Sequence, residues 1–183
     1  MRRLAILMIP IAAAGVSGCG GPVETRIQTQ AGPALPAQKQ FSFTVKPEQN
    51  SDAYQTARKM VASALESKNF AAAVDAPILV HIALASRPAS IAMTTGKKNN
   101  LSVITEKKKR KPLQSCDDAE HRLTINMVNT LDGSAYYSGT AAEYHCKGSV
   151  EQSLPHLVAG ALSDLGHPGH TANVKTHTRS GIE

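Results

Sequence analysis

The chain has 183 residues, a formal net charge of +6 at pH 7, no Trp and an aromatic content of only 4%. This length provides one domain with a hydrophobic core of its own. Proteins that bind single-stranded nucleic acid stack bases on aromatic rings beside positive charge, so the scarcity of rings argues against that class. The sequence also lacks G-x-S-x-G, H-E-x-x-H, P-loop and dinucleotide-binding motifs. It therefore predicts no enzymatic activity and no cofactor.

The first nineteen residues have the pattern of an export signal. Arg2 and Arg3 precede an apolar stretch at 4–16. This stretch is shorter than the ~20 residues that a membrane-spanning helix needs, and it fits the apolar region of a secretory signal peptide. It ends in the sequence VSGC at 16–19, where small residues precede a single cysteine.

This ending resembles the bacterial lipobox, in which a small-residue tripeptide precedes an invariant cysteine. In that family the cysteine, here Cys19, is acylated on sulfur, the signal is cut before it, and the new amine is acylated with a fatty acid such as palmitate. Cleavage before Cys19 implies a signal peptide at 1–18 and a lipidated tether at 19–22. Three acyl chains exceed the two membrane signals that stable anchoring needs. Gly20 follows the cysteine in place of aspartate, which by the family's sorting rule implies the outer membrane. An ordinary signal peptide with an incidental cysteine is the alternative.

Period-two and helical patterns then alternate along the chain. Residues 23–30 alternate in polarity and predict a first strand at a sheet edge, and FSFTV at 41–45 predicts a second strand. A helix follows, for which Ser51 or Asp52 can provide the cap, with its apolar residues on one face. Asn69 is a plausible left-handed end to this helix.

The segment APILVHIALAS at 76–86 is apolar on both alternating faces. This pattern predicts a central strand with a helix over one face. His81 lies on the face with smaller residues, where we expect a hydrogen-bonded core histidine. SIAMTT at 90–95 and LSVIT at 101–105 predict short strands or one broken hairpin.

Five consecutive cations follow these short strands, and they carry most of the positive excess: Lys107, Lys108, Lys109, Arg110 and Lys111. A run of this kind is most often a solvated loop. The alternative is contact with anionic envelope material, such as lipid A phosphates, acidic glycans or phospholipid headgroups.

Two cysteines, Cys116 and Cys146, flank a segment with the turn signal Asp-Gly at 132–133. Folding the segment there as an antiparallel hairpin places the cysteines within about three residues of facing each other. In an oxidising compartment this proximity favours a disulfide. The alternative is a metal pair with His121 or His145, although the tight ligand spacing of metal sites is absent.

Two further clusters contain potential metal ligands. A weak cation site could form beside the first cysteine, although a solvated strand start is the simpler interpretation of Asp117, Asp118 and Glu120. Three histidines near the C-terminus could bind zinc or copper if the chain brings them together, and are otherwise exposed polar residues: His167, His170 and His177.

A second helix is predicted from Ser149, because Ser149 and Gln152 have the spacing of a capping box. Pro155 leaves Ser153 as an alternative cap. The helix should end at the Gly and Pro of 166–168. Beyond it, the pattern ANVKTHT at 172–178 could form a last strand, and 179–183 should fray.

The predicted order is β-β-α-β-β-β-β-α-β, which indicates an α+β fold: a single antiparallel or mixed sheet with two helices packed on one face, over 23–178. This arrangement is similar to small envelope lipoproteins in a domain-of-unknown-function family of alphaproteobacteria and relatives. The similarity rests on the lipobox, PVETR, APILVHI, LDGSAYYSG and LVAGALSDLGHPG. The chain departs from that family in Tyr136-Tyr137, where such hairpins often carry Leu-Trp, in LGHP at 165–168, where Phe-Pro is usual, and in its two domain cysteines.

The resemblance brings no reaction and no catalytic residues. We therefore expect a non-enzymatic lipoprotein at the periplasmic face of the outer membrane, acting as a binding or envelope-assembly module. Its expected partners are the membrane, through the N-terminal lipid, and an anionic envelope component, but not nucleic acid. The alternative is a periplasmic metal-binding or hydrolytic protein that uses the C-terminal histidines.

Overall fold

The computed structural model describes residues 22–34, 36–44, 49–97, 100–105, 107–108, 116–169 and 173–180. Within these residues the elements, in chain order, are β1 (Val23–Ala31), β2 (Gln40–Phe43), α1 (Asp52–Ser67), β3 (Ala71–Ala72), β4 (Ile78–Pro88), β5 (Met93–Lys97), β6 (Asn100–Thr105), β7 (Ala119–Asn129), β8 (Ala135–His145), α2 (Val150–Ala161) and β9 (Asn173–Arg179).

Seven of the strands form one mixed sheet in the order β3-β2-β4-β7-β8-β1-β9. β2 runs parallel to β3 and β4, and the remaining pairs in this sheet are antiparallel. β5 and β6 pair with each other as a separate two-stranded hairpin. α1 and α2 contact each other, and α2 lies on β1, β7 and β8 while α1 contacts β3 and β4. The predicted α+β fold is confirmed.

The core lies between the two helices and one face of the sheet. Alternation along β4 and β7 places every second residue against the helices, as the sequence predicted, and the helices contribute one apolar stripe each. Burying each large aliphatic side chain here stabilises the fold by about 1.5–3 kcal/mol. The buried residues of this layer include Ile78, Val80, Ile82, Leu84, Leu123, Ile125, Met127, Val61, Leu65, Leu154 and Leu157.

Side-chain caps begin both helices where the sequence placed them. Ser51 Oγ accepts a hydrogen bond from the Tyr54 backbone N–H at 3.2 Å. Ser149 and Gln152 form a reciprocal capping box, so Pro155 lies inside α2 and does not move its start to Ser153. Asn69 has φ of 66° immediately after α1, which confirms the left-handed end.

Three expectations about individual strands and residues are wrong. β1 is interior to the sheet, because β9 returns along its outer side. β9 extends to Arg179, whose side chain binds Glu143, so fraying does not begin at that residue; 181–183 lie outside the described residues. His81 is exposed on the face of the sheet opposite the helices, since α1 and α2 both pack on the other face.

The β7–β8 hairpin forms, with a register one residue away from the predicted one. Ala119 is paired with His145, whereas a turn centred on the Asp-Gly pair would pair His145 with the next residue. The difference has two causes. The loop at 130–133 is closed by the Asn129 N–H, which donates to Ser134 O at 2.8 Å, so it is not centred on the Asp-Gly pair. The pairing then shifts by one residue between Met127 and Val128, which pair with Tyr137 and Ala135.

Strand pairing defines one end of the sheet, at which the start of β1 lies. Val23, the first residue of β1, pairs with Arg179 at the end of β9. On the other side of β8, the pairs Ala119–His145 and Ala119–Pro88 close the same end. We refer to the end marked by these five residues as the Val23 end. The β7–β8 turn lies at the opposite end. Among the described residues, no helix is long and apolar enough to cross a membrane.

Candidate functional site at the Val23 end of the sheet

The predicted disulfide closes the Val23 end. Cys116 and Cys146 are bonded to each other, with their Cα atoms 5.6 Å apart, so these cysteines do not form the alternative metal pair with a histidine. Of the predicted surface cations, Lys107 is exposed and Lys108 is half-buried. Cys19 and the cations at 109–111 lie outside the described residues.

Lys108 is a structural residue as well as a cation. Its Nζ lies 4.8 Å from the centroid of the Tyr144 ring and 3.6 Å from Asp118 Oδ2. The Lys108 backbone N–H donates to Ala89 O at 2.8 Å, and the Ala89 N–H donates to Asp118 O at 2.9 Å. These contacts fix one residue of the basic run against the sheet, so the run is not purely a solvated loop.

A buried carboxylate with two arginines lies beside Lys108, on the face opposite the helices. Glu120 is fully buried, Arg122 Nε donates to its Oε1 at 2.6 Å, and Arg87 Nη2 donates to its Oε2. The Arg26 guanidinium lies 5.3 Å from the centroid of the neighbouring Tyr144 ring. Burial and the nearby Glu120 raise the pKa of Tyr144.

These ion pairs involve two members of the acidic cluster that the sequence offered as a weak cation site. Glu120 is occupied by arginines and Asp118 by a lysine, so these two carboxylates are already neutralised by the protein. The interpretation of the cluster as a solvated strand start is wrong for Glu120, which is completely buried. Its counter-charges come from β4 and β7, as burial of a carboxylate requires.

A second buried carboxylate lies on the helix-facing side of the same end. Glu143 is fully buried, and it accepts hydrogen bonds from Thr25 Oγ1 at 2.7 Å and from Arg179 Nε and Nη2 at 3.2 and 3.0 Å. Burial alone would raise the pKa of this carboxyl, but the hydrogen bonds from Arg179, Thr25 and Ser153 hold it below its ordinary value. Glu143 is therefore a buried anion that fixes the last strand to the sheet.

Beside it, a histidine and a serine form a contact that superficially resembles a hydrolase pair. His145 Nε2 lies 2.7 Å from Ser153 Oγ, and the Gly148 backbone N–H donates to His145 Nδ1 at 3.2 Å. Because Nδ1 accepts a hydrogen bond, the neutral ring carries its proton on Nε2 and donates it to the serine. A base that activates serine needs the opposite arrangement, with a free lone pair on Nε2. Ser153 is also fully buried.

His121 completes this layer. Its ring lies 4.8 Å from the His145 ring, between centroids, at an interplanar angle of 40°. Both ring nitrogens of His121 are buried without a hydrogen-bond partner among the described residues. Burial lowers the pKa of His121 despite the nearby carboxylates of Glu143 and Glu151. Burial also lowers the pKa of His145, and the neighbouring His121 lowers it further.

Sequence reasoning considered these histidines only as ligands of a metal with the cysteines. The signal for a buried polar layer was nevertheless present, because His121 has the same alternation phase as Leu123, Ile125 and Met127. The buried polar residues His121, Glu143 and His145 therefore extend the core-facing side of β7 and β8 to the Val23 end of the sheet.

The stability of the domain is expected to decrease as the pH falls below about 6.5. An unfolded histidine has a pKa near 6.5, whereas burial lowers the pKa of His121 and His145 in the fold. Below that pH the unfolded chain binds more protons than the folded one, so the free energy of unfolding decreases as the pH decreases. Glu143, whose folded pKa is also lowered, adds a second loss below about pH 4.3. Urea titrations between pH 3 and 8 follow both losses.

The substitution His121→Leu isolates the histidine contribution. It removes a titrating ring whose nitrogens have no partner among the described residues, and we expect a shallower loss of stability between pH 7 and 5. The matched control is His81→Leu, at an exposed position on the opposite face, which should keep the wild-type slope. An unchanged slope in His121→Leu would show that this histidine does not drive the pH dependence.

The two C-terminal histidines that the structure describes, His167 and His177, lie apart, because Gly169 is bound to Gly32 whereas His177 pairs with Thr25 near the other end of β1. His167 is exposed, and His170 lies outside the described residues. His177, on β9, instead lines a groove of about 300 Å³ together with His156 of α2 and Arg179. In the described part of the chain, no group of three or more His, Cys, Asp or Glu is placed to hold a metal ion.

A larger open groove lies at the other edge of the sheet. It has a volume of about 740 Å³, and its lining includes Phe41, Phe43, Val74 and Leu79. The Arg58 guanidinium lies 4.7 Å from the centroid of the Phe43 ring. The volumes of both grooves fall within the range of ligand pockets.

No protein-family model matches the chain, and no curated protein sequence matches it. In structure, the chain is similar to a PDZ domain protein from Parabacteroides distasonis, with a TM-score of 0.52 and 9% identity over 88% of this chain. The match spans 40% of the length of that protein. Two structures of the PelC dodecamer from Paraburkholderia phytofirmans match with TM-scores of 0.47 and 0.48, at 13% and 15% identity, over 76% and 77% of this chain and 95% and 97% of those chains. The first of these likenesses shows the fold: one mixed sheet with two helices on one face.

Proposed function

We propose that the chain is a non-enzymatic lipoprotein anchored through Cys19 at the periplasmic face of the outer membrane, where its domain acts as a binding or envelope-assembly module. The disulfide between Cys116 and Cys146 is the structural observation that carries this proposal, because disulfides persist in oxidising compartments outside the cytoplasm. The export signal and the small residues before Cys19 also support export from the cytoplasm and lipidation. Gly20 supports the outer membrane through the sorting rule of the lipoproteins that the N-terminus resembles.

The proposed absence of catalysis is supported by the chemistry of the buried polar groups. His145 donates to Ser153 and cannot act as its base in this arrangement. The carboxylates of Glu120 and Glu143 are neutralised by arginines in the interior of the fold. A binding role fits better, since the grooves beside α2 and beside β2 offer apolar lining with a few polar groups.

The hydrolytic or metal-binding alternative has less support. It depended on His167, His170 and His177 approaching one another, and His177 lies instead in the groove with His156. Within the part of the chain that the structure describes, these two histidines offer fewer ligands than the three protein ligands of a catalytic zinc site.

The anchor is tested by the substitution Cys19→Ser in the full-length protein. A serine hydroxyl does not replace the thiol that receives the diacylglyceryl group, so we expect an uncleaved or soluble product that no longer partitions with membranes and no longer incorporates labelled palmitate. Ser17→Ala, which keeps a small residue before the cysteine, is the matched control and should remain membrane-bound. A Cys19→Ser protein that is still palmitate-labelled and detergent-dependent would overturn the lipoprotein assignment.

A further inference from the structure

We propose that β9 pairs with β9 of a second copy of this chain, antiparallel and centred on Thr176, so that the main sheets of two subunits become one continuous sheet. The inference names a partner and the surface that receives it. It goes beyond the proposed function and does not depend on the lipid anchor.

The two edges of the main sheet differ in the length of strand that they offer to another chain. β3 at one edge has only two residues, whereas β9 at the other edge has seven, without proline and without a break in its register with β1. Alternate residues of a strand direct their backbone N–H and C=O groups to opposite sides, so about half of β9 presents these groups at its outer edge. In the described part of the chain no strand pairs with that edge. An edge of this kind is a template for a further strand.

The helices leave room for this strand. α2 lies on β1, β7 and β8, and the groove lined by His156 and His177 separates it from β9. A second copy that extends the sheet beyond β9 therefore meets no helix of the described chain at the shared edge.

The cations of β9 do not protect the edge in the usual way. Charged side chains at an edge discourage pairing, but those of β9 are held by carboxylates of the same chain. Lys175 Nζ lies 2.7 Å from Asp164 Oδ1. Arg179 Nη2 donates to Glu143 Oε2 at 3.0 Å. Both cations are thus neutralised on the helix side of the strand.

Two-fold symmetry limits the registers that pair most of the strand. In a continuous antiparallel sheet the symmetry axis is perpendicular to the sheet, so one residue of β9 lies beside its own copy. Centring the pair on Lys175 would place two lysines side by side, and centring it on His177 would place Lys175 beside Arg179. Centred on Thr176, all seven residues pair, and each cation lies beside a histidine or an asparagine. Charge therefore selects the register centred on Thr176, because like charges directly opposite are destabilising.

The same register suits the face of β9 that points away from the helices. There Thr176 lies beside its own copy, and Thr–Thr pairs form favourable cross-strand hydrogen bonds. Val174 lies beside Thr178 of the partner subunit. Val174 is a large hydrophobic residue that is 68% exposed in the single chain, and the pairing covers part of it. The strand is thus complementary to itself, which favours a second copy over an unrelated extended peptide.

Cross-linking tests the register directly. In the proposed pair the two Cβ atoms at position 176 are about 4.5–5.5 Å apart, a separation at which a disulfide can form with small adjustments. The full-length protein with Thr176→Cys, purified in mild detergent, is oxidised with diamide and run on a non-reducing gel. We expect a covalent dimer that wild-type protein does not form.

Two further cysteine variants provide matched controls on the same face of the same strand. Thr178→Cys lies four residues out of register with its own copy and should remain monomeric. Val174→Cys combined with Thr178→Cys places the two thiols of different subunits opposite each other, and this double variant should form the dimer again.

A charge substitution tests the interface without cross-linking. His177→Lys places a cation opposite Lys175 twice in each dimer, and we expect the dissociation constant, measured by sedimentation velocity, to rise about tenfold. His177→Gln introduces no charge and should keep the wild-type value. Thermal unfolding of each variant verifies that the subunit itself remains folded.

Each alternative result would overturn the inference. Equal dimer yields from Thr176→Cys and Thr178→Cys would show random collision in place of a register. A wild-type protein that sediments as a monomer, with no dimer from Thr176→Cys, would show that the edge does not self-pair. If Thr176→Cys in intact cells couples to a different protein, the edge receives a strand of that protein. These results do not depend on Cys19, since a protein without lipid is measured in the same way without detergent.

Discussion

Replacing Cys116 by serine is expected to lower the free energy of unfolding by about 3–4 kcal/mol. The disulfide joins residues 30 positions apart, and closing a loop of this length removes a corresponding amount of conformational entropy from the unfolded chain. The effect is large relative to the ~5–15 kcal/mol that stabilises a typical domain. Urea denaturation of the oxidised protein and of the variant measures the difference.

The companion variants make this expectation specific to the bond. Cys146→Ser should lower stability by a similar amount, and the double variant should lose little more than either single variant, because both changes remove the same interaction. Reduction of the wild-type protein should reproduce the loss. Losses that add up in the double variant, or two free thiols in the unfolded, unreduced mature protein, would contradict the pairing.

Gly139→Ala is expected to destabilise the fold by about 3 kcal/mol, at the upper end of the usual range for overpacking. A Cβ at this position would lie 1.8 Å from the Ala161 carbonyl oxygen and 2.9 Å from Tyr137 Cε1. That carbonyl accepts the Tyr137 hydroxyl at 2.7 Å in the buried core. The added methyl group therefore pushes on helix backbone, which can retreat only by moving α2 away from β8.

The neighbouring residue supplies the control. Thr140 points to the opposite face, where its hydroxyl lies 3.2 Å from the Thr124 hydroxyl, and Thr140→Ala should lower stability only by the ~0.5–1.5 kcal/mol of one hydrogen bond. Both variants are compared by thermal and urea unfolding. If Gly139→Ala is as stable as Thr140→Ala, α2 does not approach β8 as closely as the structure indicates.

Local patterns were sufficient to predict most of the elements. Alternation identified β4 and β7, and the apolar stripes identified α1 and α2, because each of these signals depends only on which side of an element faces the core. The Asp-Gly turn signal identified β8 as the second strand of a hairpin. The capping box at Ser149 and Gln152 was predictable for the same reason, since its two partners are three residues apart. The disulfide followed from the symmetry of one hairpin.

What the sequence did not predict depends on partners that are distant in the chain. The position of β1 inside the sheet requires β9, which is about 150 residues later. Arg87 and Arg179 lie 33 and 36 residues from the carboxylates that they neutralise. No short window contains both members of either of these pairs, so the burial of Glu143 and the pairing of Glu120 with Arg87 could not be recognised from the local sequence. The interaction of Lys108 with Tyr144 was hidden in the same way.

The mass of the mature N-terminal peptide is a direct measure of the proposed lipid anchor at Cys19. Trypsin cleaves after Arg26, so a protein processed before Cys19 releases the peptide CGGPVETR at 19–26. We predict that this peptide begins at Cys19 and carries a diacylglyceryl group on its sulfur and a fatty acyl group on its amine. A mature protein whose N-terminus lies elsewhere, or a peptide in which Cys19 is unmodified, would show that the protein is not anchored by a lipid at Cys19.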